Sequence, residues 1–160
     1  MRYLLLVVLL CSCGHSLPRD AKVVHNQSYH LSSEAVKTTI AEMEQAQGQA
    51  FLSAKSDYVI TIEFKPMPQG YLGSATLFGD RCLVRLTERL LAENYVYPPS
   101  RRSILRELGH TVRHEIGHCF GLKHSADVND VMYPYMEYEQ LDSESILTFN
   151  DILKKWRLQN

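Results

Sequence analysis

At 160 residues, 45% of them hydrophobic, the chain is long enough for one domain with a core of its own and too short for two. Seventeen basic residues against eighteen acidic ones give a net charge of −1, which excludes a polyanion-binding surface, so nucleic acid is not expected as a partner. The basic pair Arg101-Arg102 fits a solvated helix start.

Met1-Arg2-Tyr3 and the apolar run Leu4 to Leu10 form a segment too short to stay in a bilayer as a spanning helix, and they read as an export signal. The next residues, Leu10-Cys11-Ser12-Cys13-Gly14, resemble a bacterial lipobox, in which a cysteine after a small residue is acylated and becomes the mature N-terminus. Cys13, following Ser12, fits best as the lipid attachment site; Cys11 is the second choice, and an ordinary secretory signal is the alternative. The resulting division is a signal peptide at 1–12, a tether at 13–20 containing Pro18, and a folded domain at 21–160. The implied location is the bacterial cell envelope, with a membrane anchor on its periplasmic or cell-surface face. No propeptide fits in so short a tether. An oxidising compartment permits a disulfide between the two remaining cysteines, Cys82 and Cys119, which would tie the strand at Cys82 to the helix that carries Cys119 and the candidate ligands described below, and so restrain that helix; two buried free thiols are the alternative.

Alternation around Val23, Val24 and Tyr29 predicts a first strand within Ala21 to Leu31. Ala35, Val36, Thr39, Ile40 and Met43 then recur at helical spacing, with Ser32 or Ser33 as cap and Gly48 as stop. The β-branched run Asp57 to Phe64 predicts a central strand ended by Pro66 and Pro68. Gly70 to Gly79 reads as the next strand, and Arg81 to Leu86 as another after the turn at Gly79-Asp80. One short helical turn fits Glu88 to Tyr97, closed by Pro98 and Pro99. A long helix follows, capped by Ser100 or Ser103, with Ile104, Leu105, Leu108, Val112 and Cys119 on its buried face.

Near the end of that helix stands His114-Glu115-Ile116-Gly117-His118-Cys119-Phe120-Gly121-Leu122-Lys123-His124. Histidines four apart project from one helix face, so His114 and His118 can reach one ion at about 2.0 to 2.1 Å. Gly121 can take the left-handed conformation that ends a helix and turn the chain so that His124 becomes a third ligand. Three protein ligands leave a coordination position open, which is what a catalytic zinc keeps and a structural one lacks. Glu115, beside the first ligand, is the candidate general base. His110 extends the row by one turn but reads as a structural or surface histidine, as do His15, His25 and His30.

The pattern H-E-x-x-H-x-x-G-x-x-H resembles the metzincin zinc endopeptidases. Asp130-Val131-Met132-Tyr133-Pro134 resembles their Met-turn, and Ser125 and Pro134 are closest to the matrixin branch. The resemblance implies an α+β, metzincin-like zincin domain: a twisted, mostly parallel sheet of four to five strands with an antiparallel edge strand, an active-site helix and a C-terminal helix, here Thr148 to Trp156. It also implies one catalytic zinc held by His114, His118 and His124 over Met132, and a monomeric endopeptidase whose protein or peptide substrate pairs with the backbone of Gly73 to Leu77. Lys65 to Gly70 lacks the residues with which matrixins hold a second zinc and calcium, so one metal is expected. Met136 stands where the family has a tyrosine, and Pro134 where astacin-like relatives have a zinc-ligating one. The rival readings are a non-catalytic zinc-binding envelope lipoprotein and a hydrolase of cell-wall peptide amides.

Overall fold

The computed structural model describes residues 3–4, 21–25, 30–45, 55–90 and 101–136. Strand β1 is Tyr3–Leu4, β2 Lys22–His25, β3 Val59–Lys65, β4 Gly73–Phe78, β5 Arg81–Thr87 and β6 Tyr135–Met136; helix α1 is His30–Gln45 and α2 Arg101–Cys119, with a 3₁₀ turn at Glu88–Leu90. The main sheet runs β2-β3-β5-β4. β2, β3 and β5 are parallel and β4 is antiparallel to β5 at the edge, which is the α+β arrangement expected. A two-residue ribbon pairs Tyr3 with Met136 and Leu4 with Tyr135.

Alternation along the strands decides which face is covered. Ile60, Ile62 and Phe64 on β3, Cys82, Val84 and Leu86 on β5, and Ala75 on β4 are buried, whereas Thr61, Lys65, Arg81 and Arg85 between them are exposed. Leu108, Val112, Ile116 and Cys119 of α2 and Val36 of α1 complete a single core with them. Burying an Ile or Leu side chain of this kind is worth about 1.5–3 kcal/mol, so the three isoleucines Ile60, Ile62 and Ile116 are a main source of the sheet-on-helix attachment. Arg113 reaches across to an ion pair with Glu42 and ties the two helices on their outer side.

Several boundaries move. β2 ends at His25, where its pairing with Ile62 ends, rather than running to Leu31. The first helix begins at His30, so Ser32 and Ser33 lie inside its first turn, where backbone N–H groups have no intrahelical partner and serine is tolerated. Ser103 likewise lies inside α2 and does not cap it. The edge strand starts at Gly73, because Tyr71 N–H turns back to donate to the Pro68 carbonyl at 3.2 Å. The expected lipid-attachment residue Cys13, the tether, the stop at Gly48, Pro98-Pro99 and the closing helix Thr148 to Trp156 lie outside the described residues. Among the described residues no helix is long and apolar enough to cross a membrane.

Cys82 and Cys119 are joined by a disulfide, with Cα atoms 5.7 Å apart. The bond links β5, which is paired on both sides, to the last residue of α2. Closing a loop of 37 residues restricts the unfolded chain by about 4 kcal/mol in the chain-entropy account.

Candidate metal centre

Helix α2 delivers His114 and His118 on one face, both buried, and its C-terminal end is shaped by a two-bond cap. Leu122 N–H donates to the Gly117 carbonyl at 3.0 Å and Gly121 N–H to the His118 carbonyl at 2.9 Å, the Schellman pattern. Gly121 sits at φ +84°, a conformation a Cβ would strain. The chain therefore reverses within three residues, and His124 comes back to the helix end. The ring centroids of the three histidines lie 4.8, 5.0 and 5.3 Å apart, and their ligand atoms all fall within 4.8 Å of one another.

Two backbone carbonyls orient the buried rings. His114 Nδ1 is 2.7 Å from the Val131 oxygen, and His118 Nδ1 is 2.7 Å from the Leu122 oxygen. A carbonyl only accepts, so each Nδ1 carries the hydrogen and each Nε2 of a neutral ring carries a bare lone pair. Those two Nε2 atoms face each other at 3.1 Å. Burial pushes both rings below the ordinary histidine range, His118 to about 4, so no proton sits between them near neutral pH. Two buried acceptors aimed at one point need a cation there. A tetrahedral zinc with nitrogen ligands would hold such atoms about 3.3 Å apart, and imidazole nitrogens suit it. The exposed His124 supplies the longer separations and has room to turn. The donor set fits a single metal ion.

Met132, 1% exposed, packs against Gly117 of α2. Asp130 holds the turn: its Oδ1 accepts from Met132 N–H at 2.8 Å, and its carbonyl accepts from Tyr133 N–H at 2.9 Å. Ser125 N–H donates to the Met132 carbonyl at 3.0 Å, which ties the loop after His124 to the same turn. A Cβ built on Gly117, between the two histidines, would meet Met132 Sδ at 2.5 Å, so the helix admits the methionine only because position 117 has no side chain.

Glu115 is fully buried, and neither carboxylate oxygen has a hydrogen-bond partner among the described residues. Burial pushes its carboxyl well above the usual range. It lies against the edge strand, where a Cβ on Gly73 would meet Glu115 Oε1 at 2.5 Å. Among the described residues, the backbone of β4 is open on the other side. Thr87 N–H donates to the Leu72 carbonyl at 2.9 Å, and antiparallel pairs alternate, so Gly73, Ala75 and Leu77 present their N–H and C=O groups to the free edge.

The three histidines expected as ligands thus come together, Met132 packs against Gly117 between two of them, and the Glu115 carboxyl has no hydrogen-bond partner among the described residues. His110 is not part of the ligand cluster, although its charge would act on His114; desolvation and the neighbouring Arg113 lower it to about 4. Sequence reading named Gly73 only for its backbone and missed its contact with Glu115, as it missed the parts played by Gly117, Tyr58 and the Val131 and Leu122 carbonyls. Gly117 alone had a local signal, a glycine inside a helix between two candidate ligands.

The matrixin family model, peptidase family M10, matches residues 92–156, a span that holds all of α2, the three histidines and Met132. A search among curated proteins finds no match. The sheet lies outside the matched span and agrees with it through its own topology, three parallel strands and an antiparallel edge. Matched span, histidine cluster and sheet together make the chain similar to the metzincin metalloproteases, with the matrixin match confined to the part that carries the histidines.

Proposed function

We propose that the chain is a zinc-dependent endopeptidase of the bacterial cell envelope. The carrying observation is the pair of Nε2 lone pairs at 3.1 Å, with His124 beside them and the unpartnered Glu115 carboxyl next in sequence to His114. His114, His118 and His124 would hold the ion, one per chain, over the apolar floor of Met132. Bound there, zinc supplies Lewis acidity, polarising the scissile carbonyl and making water a nucleophile near neutral pH. Glu115 takes the proton of the attacking water on its carboxylate and passes it to the departing amine nitrogen. The open edge of β4 binds substrate main chain as an added strand. The lipobox-like Cys13 supports a lipid anchor; processing there removes β1, so the ribbon with β6 belongs to the unprocessed chain. Mass spectrometry of the mature N-terminus tests the anchor, an unacylated start past Cys13 counting against it.

A second reading draws on one observation, the complete burial of Glu115: a non-catalytic metal protein has no use for an accessible base. Metal analysis of the purified chain, with cleavage of a peptide library in the presence and absence of chelator, separates the two. Glu115→Ala is expected to keep its zinc and lose about 10² to 10⁴ in rate. Zinc bound in parent and variant alike without any chelator-sensitive cleavage would favour the second reading.

A further inference from the structure

Schellman capping gives the carbonyl of Cys119, the last helical residue, no backbone donor among the described residues. Tyr58 supplies the donor: its hydroxyl lies 3.3 Å from the Cys119 oxygen. Tyr58 is itself fixed at the head of β3, where its carbonyl accepts from Lys22 N–H at 2.8 Å. Desolvation, with Asp80 nearby, pushes its phenol up to about 12, so it remains a donor at any ordinary pH. The same residue, Cys119, is bonded through its sulfur to Cys82 of β5. One residue of the helix end is therefore held twice, by a hydrogen bond to the start of β3 and by a covalent bond to the strand beside it.

That end carries the orientation of the site. His118 precedes Cys119 and donates from Nδ1 to the Leu122 carbonyl, and Leu122 is placed by its own bond to Gly117. Any loosening of residue 119 shifts the cap, the Leu122 oxygen, the His118 ring and the path of the chain to His124. Groups that orient metal ligands from behind are worth about 10- to 100-fold in metal affinity.

We infer that Tyr58 and the Cys82–Cys119 bond are positioning groups for the metal centre, holding the end of α2 so that His118 and His124 meet the ion without first being ordered. The inference rests on the metal-site reading above. Its test is zinc affinity, measured by competition with a chromogenic chelator at a temperature where circular dichroism shows every variant folded. Tyr58→Phe, which keeps the ring and removes the hydroxyl, is expected to weaken zinc binding by about three- to tenfold. Cys82→Ala with Cys119→Ala is expected to weaken it by about 10- to 100-fold. Val36→Ala, a core change on α1, serves as the control: it lowers the melting temperature and leaves zinc affinity unchanged, whereas a purely stabilising role would make all three variants alike. Zinc affinity equal to the parent's in Tyr58→Phe and in the cysteine variant overturns the inference. If the cysteine variant does not fold, Tyr58→Phe decides by itself. A parent chain that takes up no zinc removes the metal-site reading and this inference with it, an outcome distinct from equal binding by parent and variants.

Discussion

Gly117 sets how closely Met132 approaches the helix that carries His114 and His118. It stands between His114 and His118 on α2, and a methyl group there would enter the space of Met132 Sδ, which has nowhere exposed to go. Gly117→Ala is expected to destabilise the fold by about 1–3 kcal/mol, the cost of overpacking a filled interior, even though alanine is the better helix former by about 1 kcal/mol. Denaturant unfolding reads the loss. If the clash with Met132 is its cause, Met132→Ala in the same chain costs less than it does alone, and a double-mutant cycle measures the coupling. Strict additivity of the two changes would show that the contact does not matter. Gly73 plays the matching part on the other side of Glu115, its missing side chain leaving the carboxyl room against β4.

At the scale of elements, β4 matters for what it leaves unpaired. Among the described residues it is bonded only to β5, and the alternation of the ladder turns the backbone groups of Gly73, Ala75 and Leu77 outward. An added peptide strand would reach the same groups at every second residue. N-methylation of a substrate at an alternate backbone position removes a donor worth about 0.5–1.5 kcal/mol, so kcat/KM should fall by about two- to twelvefold. Methylation one residue along, at groups facing away from β4, should have little effect. Equal effects at both positions in steady-state kinetics would argue against strand addition. Helix α2 has the complementary role: packing on β4 and β5 through Val112, Ile116 and Cys119 fixes its rotation, and with it the face on which His114 and His118 emerge.

For the whole molecule, the histidines determine the response to acid. The fold holds His110 and His118 at about 4 and lowers His114 and His124, in each case mainly by desolvation. The unfolded chain binds these protons from about 6.5 downward, so it is the proton-richer state between pH 6.5 and 4. Stability of the metal-free protein is therefore fully present above pH 6.5 and lost as pH falls toward 4, with a slope of at most about 1.4 kcal/mol per unit for each such histidine. Glu115 acts the other way, since a carboxyl raised by burial favours the folded state as pH falls toward 4.5, but it is one group against four. Melting temperatures of chelator-treated protein across pH 4 to 7 should fall on acidification. His110→Asn, outside the ligand cluster, should flatten part of that decline; an unchanged profile would mean that His110 is not desolvated in the fold.

Much of this was written along the chain. Local spacing placed His114, Glu115 and His118 on one turn of helix, Gly121 as its stop and His124 within reach, because helical periodicity and glycine stereochemistry act over a few residues. The β-branched run at Val59 to Phe64 announced a strand for the same reason. What the sequence left open were the relations between distant segments. It allowed Cys82 and Cys119 to be bonded or free, and nothing in it linked Tyr58 to a carbonyl 61 residues later or Gly73 to Glu115. Those contacts exist only once the parallel sheet has closed beneath α2, since burial, and with it the lone-pair direction of each imidazole and the level of each carboxyl, is a property of packing and not of the neighbours along the chain.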